Sequence, residues 1–184
     1  ATQEYIDDKD KRPMFRWTRA AQLELAVEVG DPLSEPGAPF SYADANYLLL
    51  TEIMEQTTDK PFTEVMKELL KYEELGIANT WFPTLEDKPT EAKDLVHQYW
   101  GEYEWDSYDL DVSWDLYGGG GIACPTKDIA LFIYHFFKGD IVTNDSIKDL
   151  IFTYIKTEET EAYPYYLGLS ESSYHGLIGY GHGG

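Results

Sequence analysis

Apolar positions recur at helical spacing in five stretches of the chain and at strand spacing only near its end. From Trp17 to Glu28, Leu23, Ala26 and Val27 share one face behind Thr18, a hydroxyl suited to capping. Gly30–Pro39 is a turn-rich break. Ser41–Thr57 resumes the helical period with Ala43, Tyr47, Leu50 and Met54 in one stripe and Ser41 or Asp44 as cap. Pro61 opens a third helix at a first-turn position, where its missing N–H costs nothing. Phe62, Val65, Met66, Leu69 and Leu70 then follow without a miss. Pro125-Thr126 opens a fourth helix, with Ile129, Phe132, Ile133, Phe136 and Phe137 on its apolar face and Gly139 at its end. A short fifth runs over about Asn144–Phe152. Burial is predicted for Val65, Leu69, Ile129, Phe132, Ile133 and Phe136. Tyr163–Ser170 and Tyr174–Tyr180 read as two strands joined by the polar turn Glu171-Ser172-Ser173.

Between the third and fourth helices, His97–Tyr117 is aromatic and acidic with no sustained period, so it reads as an irregular excursion. Its rings either line a cleft or tie the segment down by burial. Five helices followed by two strands indicate an α+β class. An isolated hairpin is marginal alone, so a chain ending at Gly183-Gly184 directly after an apolar strand reads as a cut.

Composition narrows the function classes. With 184 residues the chain is long enough for one domain with a real core, and 43% hydrophobic content excludes a disordered polymer. A formal charge of −20 argues against nucleic acid and against an anionic membrane surface, since both demand Lys and Arg. No stretch reaches the ~18 apolar residues of a membrane span. The single cysteine, Cys124, excludes an intrachain disulfide and reads as a small core residue.

Several motifs offer chemistry and decline it. Gly118–Gly121 could cradle a phosphate, but Ile122-Ala123-Cys124 follows where a P-loop needs Lys-Ser/Thr. A tight crossing of backbone segments is the better reading. His97, His135, His175 and His182 form no zinc spacing, and Asp106, Asp109 and Asp111 lack the pattern of a calcium loop. No metal and no cofactor is therefore expected.

One region carries more. The run Pro36-Gly37-Ala38-Pro39-Phe40-Ser41-Tyr42-Ala43-Asp44 through Leu50 resembles the second motif of the class C β-lactamase, DD-peptidase and esterase superfamily. Lys60-Pro61-Phe62, Leu75-Gly76-Ile77-Ala78-Asn79-Thr80, and Gly120-Gly121-Ile122 with Asp128-Ile129-Ala130-Leu131-Phe132 look like its further landmarks. Gly179-Tyr180-Gly181-His182-Gly183-Gly184 looks like the strand of its third motif, Lys/His-x-Gly. These landmarks stand in family order over about residues 17–184.

The resemblance implies a β-lactamase/transpeptidase-like fold, with residues 1–184 a partial domain: helical over about 17–152, strands over about 163–181. It implies acyl-enzyme chemistry on a small-molecule or peptide acyl substrate, without cofactor. By association with cell-wall chemistry it points to an extracytoplasmic setting. Tyr42 matches the tyrosine that shares a proton network with the nucleophile, and a phenol needs a nearby cation for that work. Asp44 stands where the family usually has Asn. An ionised carboxylate only accepts hydrogen bonds, so it disfavours an incoming carbonyl oxygen. His182 matches the basic residue of the third motif. Gly183 and Gly184 would bind substrate beside an oxyanion-hole N–H expected just after Gly184. The family nucleophile sits in Ser-x-x-Lys, a pattern absent from the sequence, and is expected upstream of Ala1. Thr57-Thr58-Asp59-Lys60 lies at a helix end and is read as structural. Two rivals stay open: a non-catalytic binding module on the same scaffold, and an unrelated helical interaction domain.

Overall fold

The computed structural model describes residues 11–31, 35, 40–101, 105–153, 155 and 164–183. They belong to two units: Ala1–Asp31 with Ala43–Phe137, and Pro32–Tyr42 with Lys138–Gly184.

The first unit holds α1 (Arg19–Glu28), α2 (Asp44–Thr58), α3 (Phe62–Leu69), the short antiparallel pair β1 (Tyr99–Trp100) and β2 (Trp105–Asp106), and α4 (Thr126–Lys138) apart from its last residue. Thr18 caps α1 through its side chain, which accepts from the Ala21 N–H. At the other end of α2, Asp59 takes the left-handed conformation (φ 54°) that closes a helix. Pro61 lies one place outside α3 and accepts its first bonds, from the Glu64 and Val65 N–H groups.

Phe62, Phe82 and Leu116 form the core of this unit, with Met54, Met66 and Tyr117 packed against it. Burying side chains of this size stabilises by about 1.5–3 kcal/mol each. Polar ties complete it. Arg19 donates to Glu52 and Glu55, both at 2.6 Å, joining α1 to α2. The Phe62 N–H donates to Glu55 at 3.0 Å, joining α2 to the start of α3. The Trp17 N–H reaches the Ser113 hydroxyl at 2.7 Å, and Asp111 holds Arg16 at 2.8 Å. Burial works to raise the Asp111 pKa, but the Ser113 hydroxyl and N–H and the Arg16 guanidinium outweigh it and hold the carboxyl low.

Several expected faces are turned. In α1 the structure buries Gln22 and Leu25 and leaves Val27 79% exposed. Gln22 points inward because its amide donates to the Ser113 carbonyl at 2.7 Å. In α2 Leu48 and Thr51 are buried while Leu50 is exposed. Thr51 is drawn in by the Arg19 guanidinium, which donates to its oxygen, and by the Tyr117 carbonyl 2.8 Å away. Neither Ser41 nor Asp44 caps α2: the N-cap is Ala43, without a side-chain bond.

Val65 is buried as expected, but Leu69, Ile129 and Ile133 are exposed, and Phe132 and Phe136 only half-buried. Leu69 is the last residue of an eight-residue helix. In α4 the buried residue is Asp128. An amphipathic period specifies a face and not what covers it. Cys124 is exposed, not a core residue. Local desolvation and the Asp128 carboxylate push its thiol above the ordinary range, away from thiolate reactivity.

The second unit contains α5 (Asp145–Ile151), capped by Asn144, and the antiparallel hairpin β3 (Ser170–Tyr174) and β4 (Leu177–Gly181). The expected turn moves. Glu171, Ser172 and Ser173 are strand residues, and Tyr174 pairs with Leu177, leaving His175-Gly176 as a two-residue turn. Both turn residues have positive φ, 50° and 81°. A primed turn needs that geometry, and it matches the twist of the strands. Residues 164–169, expected as strand, carry only isolated bridges, Tyr165 to Ile155 and to Ser170; Tyr163 lies outside the described residues. Tyr166 donates its hydroxyl to Glu171 at 2.9 Å. That bond, with desolvation next, pushes the phenol up to about 12.

Candidate functional site

The aromatic cluster of the second unit joins both ends of its sequence. Phe40 stacks on Tyr165 with ring centroids 4.4 Å apart. Tyr42 meets the edge of Tyr165 at 6.3 Å. His182, just past the end of β4, lies with its ring 5.7 Å from that of Tyr42, although the two are 140 positions apart. Hairpin pairing creates this placement: Gly181 pairs with Ser170, so the residue after β4 comes back beside the segment leading into β3. Tyr165 is buried, whereas Tyr42 and His182 are exposed and accessible to a ligand.

His182 Nδ1 lies 2.5 Å from the Gly183 carbonyl oxygen, and its Nε2 lies 3.1 Å from the Tyr165 hydroxyl. Of the two glycines expected at a substrate position, Gly183 therefore supplies a carbonyl to His182. Gly184 lies outside the described residues.

In the first unit Asp44 is exposed and is the first residue of α2, where a carboxylate is favoured by the helix dipole. The glycine run passes over this helix start. Gly118 has φ +122°, and a Cβ there would lie 2.7 Å from the Tyr47 carbonyl oxygen. A Cβ on Gly119 would meet the Asp115 carboxylate at 3.1 Å and Asp44 Cβ at 3.5 Å. Such crowding leaves no room for a phosphate cradle and is the tight backbone crossing that the glycines permit. Directly after it, Ala123 and Trp81 exchange two backbone bonds of 3.0 Å.

Two sequence landmarks meet at Asp128, which is 2% exposed. Its carboxylate accepts from the Asn79 N–H at 2.7 Å and the Thr80 hydroxyl at 3.0 Å. Thr57 and Lys60 are engaged elsewhere. The Thr57 hydroxyl bonds back to the Ile53 carbonyl of its own helix, and Lys60 pairs with Glu64 and Glu68. Among the described residues no group of three His, Cys, Asp or Glu is placed to hold a metal, and no helix is long and apolar enough to cross a membrane.

Sequence reasoning missed Tyr165 as a member of the cluster and Asp128 as the joint between landmarks. Asp128 had a legible signal, an acid in the first turn of an apolar helix. Tyr165 had none, since its position depends on strand pairing.

The family model described as Beta-lactamase matches residues 3–184, and the chain belongs to that family. Solved structures share the β-lactamase/transpeptidase-like fold. A D-stereospecific amidohydrolase from Streptomyces sp. superposes with a TM-score of 0.77 at 20% identity, over 96% of this chain and 52% of that one. D-amino acid amidase from Ochrobactrum anthropi SV3, complexed with L-phenylalanine, gives 0.76 at 22% identity over 95% and 51%. A penicillin binding protein from Bacillus halodurans gives 0.64 at 17% identity over 95% and 53%. The chain thus spans about half the length of these proteins. No curated protein matches it by sequence.

Proposed function

We propose that this chain is part of a serine hydrolase that works through an acyl-enzyme on small amide or ester substrates. Tyr42, Asp44 and His182 are its contribution to the chemistry, and Gly183 and Gly184 border the substrate. The observation that carries the reading is the approach of Tyr42 and His182, the matches to two separate family motifs, to 5.7 Å between rings. A phenol beside a basic residue is the arrangement needed to pass a proton to and from a reacting hydroxyl. The nucleophile, a serine in Ser-x-x-Lys, comes from outside residues 1–184.

The substrate class follows from Asp44. A carboxylate cannot donate to a substrate's carbonyl oxygen but accepts from a cationic N–H, so Asp44 favours acyl donors that carry an ammonium group over β-lactams. Relatives described as acting on D-amino acid amides support a small acyl donor with a free ammonium group.

Mass spectrometry of the full-length protein after reaction with an activated ester should find an acyl group on a serine outside residues 1–184. The 184-residue chain alone should take up none. An adduct within these residues overturns the reading, and no adduct on the full-length protein favours a binding module. Asp44→Asn in the full-length protein should raise the ratio of β-lactam to ester turnover by roughly 5- to 150-fold, the worth of one restored hydrogen bond of ~1–3 kcal/mol. An unchanged or lowered ratio removes Asp44 from substrate selection.

A further inference from the structure

Both ring nitrogens of His182 have partners, and the chemistry of those partners differs. The Gly183 carbonyl oxygen can only accept, so Nδ1 must carry a proton. In the neutral ring the Nε2 lone pair is then left to accept, and the Tyr165 hydroxyl 3.1 Å away donates to it. The Tyr165 ring is itself held in place. It is buried, stacked on Phe40 at 4.4 Å and 17°, and in an edge contact with His182 at 6.0 Å and 83°. Its backbone is fixed by bridges to Ile155 and Ser170. A hydroxyl on so constrained a ring sets a direction for the exposed imidazole it bonds.

We infer that Tyr165 is a positioning residue: its hydroxyl holds the His182 ring in the orientation that keeps Nδ1 on the Gly183 carbonyl, and so keeps Nδ1 protonated and Nε2 the accepting nitrogen. Through Tyr165 the imidazole is held with its ring, tilted by 37°, beside that of Tyr42. When His182 takes up a proton at Nε2, that N–H donates and the Tyr165 oxygen becomes the acceptor. The hydroxyl suits this exchange because it both donates and accepts, and a phenylalanine at 165 would do neither. The inference deepens the proposed function, and its catalytic consequence rests on that reading. The tautomer does not.

The test uses full-length protein with 15N-labelled histidine, studied above pH ~8, where an ordinary imidazole is neutral. The His182 signals are assigned by their loss in His182→Gln. Wild type should show a single tautomer with the proton on Nδ1. Tyr165→Phe, which keeps the ring and its stacking, should give a mixture of tautomers or the Nε2–H form. The same variant should lower kcat by roughly 2- to 12-fold, the worth of one neutral hydrogen bond. Phe40→Leu, which weakens the stacking and leaves the hydroxyl, should retain the wild-type tautomer. A tautomer unchanged in Tyr165→Phe overturns the inference, as does an equal shift in Phe40→Leu, which would assign the effect to packing. A shifted tautomer with unchanged turnover upholds the positioning role and counts against His182 in the proposed chemistry, so the two failures are told apart.

Discussion

The first unit ties several buried polar groups to partners, although the Asn79 side-chain oxygen is buried without one; the second unit leaves its candidate chemistry near the surface. Around α1–α4, the buried Asp128 accepts from Asn79 and Thr80, the buried Gln22 donates to the Ser113 carbonyl, and the Ser113 hydroxyl accepts from the Trp17 N–H. In the second unit the hairpin is largely exposed, with Tyr174 at 75% and Leu177 at 73%, and the Tyr42–His182 pair is open to solvent. The difference separates two tasks. Satisfied buried polar groups specify one arrangement of the scaffold and are costly to disturb. Exposed aromatic and basic groups add little to stability and remain available to react.

The widest separation is expected from Tyr42→Phe. If the phenol handles protons, full-length kcat/KM should fall about 10²- to 10⁴-fold, while the unfolding free energy moves by less than ~0.5 kcal/mol, as for other exposed positions. Parallel losses of activity and stability, measured by turnover and urea titration, would break the distinction. In the first unit the reverse should hold. Asp128→Ala strands the Asn79 N–H and the Thr80 hydroxyl, and at ~1–3 kcal/mol for each unsatisfied group should destabilise by roughly 2–6 kcal/mol in denaturant melts. Gly118→Ala forces a Cβ to 2.7 Å from the Tyr47 carbonyl oxygen at φ +122°, so a loss of about 1–3 kcal/mol is expected. A stability within error of wild type would mean that the crossing over α2 yields easily.

The smallest effect belongs to the second unit. Tyr166, bonded to Glu171, has its phenol raised from 10.0 to about 12. A raised folded-state value means the protonated phenol is favoured on folding. That contribution is complete below pH ~10, where the unfolded phenol also keeps its proton. It declines as pH rises from 10.0 toward about 12 and is absent above it. Tyr166→Phe should flatten a hairpin melting curve across that interval; an unaltered alkaline slope would show that the bond contributes nothing there.

Much was legible along the chain because it is local. Five helices stand within a few residues of their predicted bounds, since capping by Thr18 and the proline at the start of α3 are read from neighbours. Landmarks in family order indicated the fold. What the chain by itself determined was therefore the set of helices, their apolar periods, a strongly acidic composition and the residue types available at the candidate site.

Tertiary structure decided the rest. Which side of α1 and α2 turns inward depended on Ser113 and Tyr117, residues 91 and 66 positions away from the groups they bond. Ile129 and Ile133 are apolar at the right spacing yet exposed, because a period cannot name the surface that will cover it. The hairpin turn fell at His175-Gly176, since strand register follows from pairing and from the two positive φ values that a tight turn demands. That register carries His182 to Tyr165 and beside Tyr42, an approach across 140 positions that chain folding alone supplies. Hydrogen bonds and ring contacts act over a few ångströms of space, whatever the separation along the sequence.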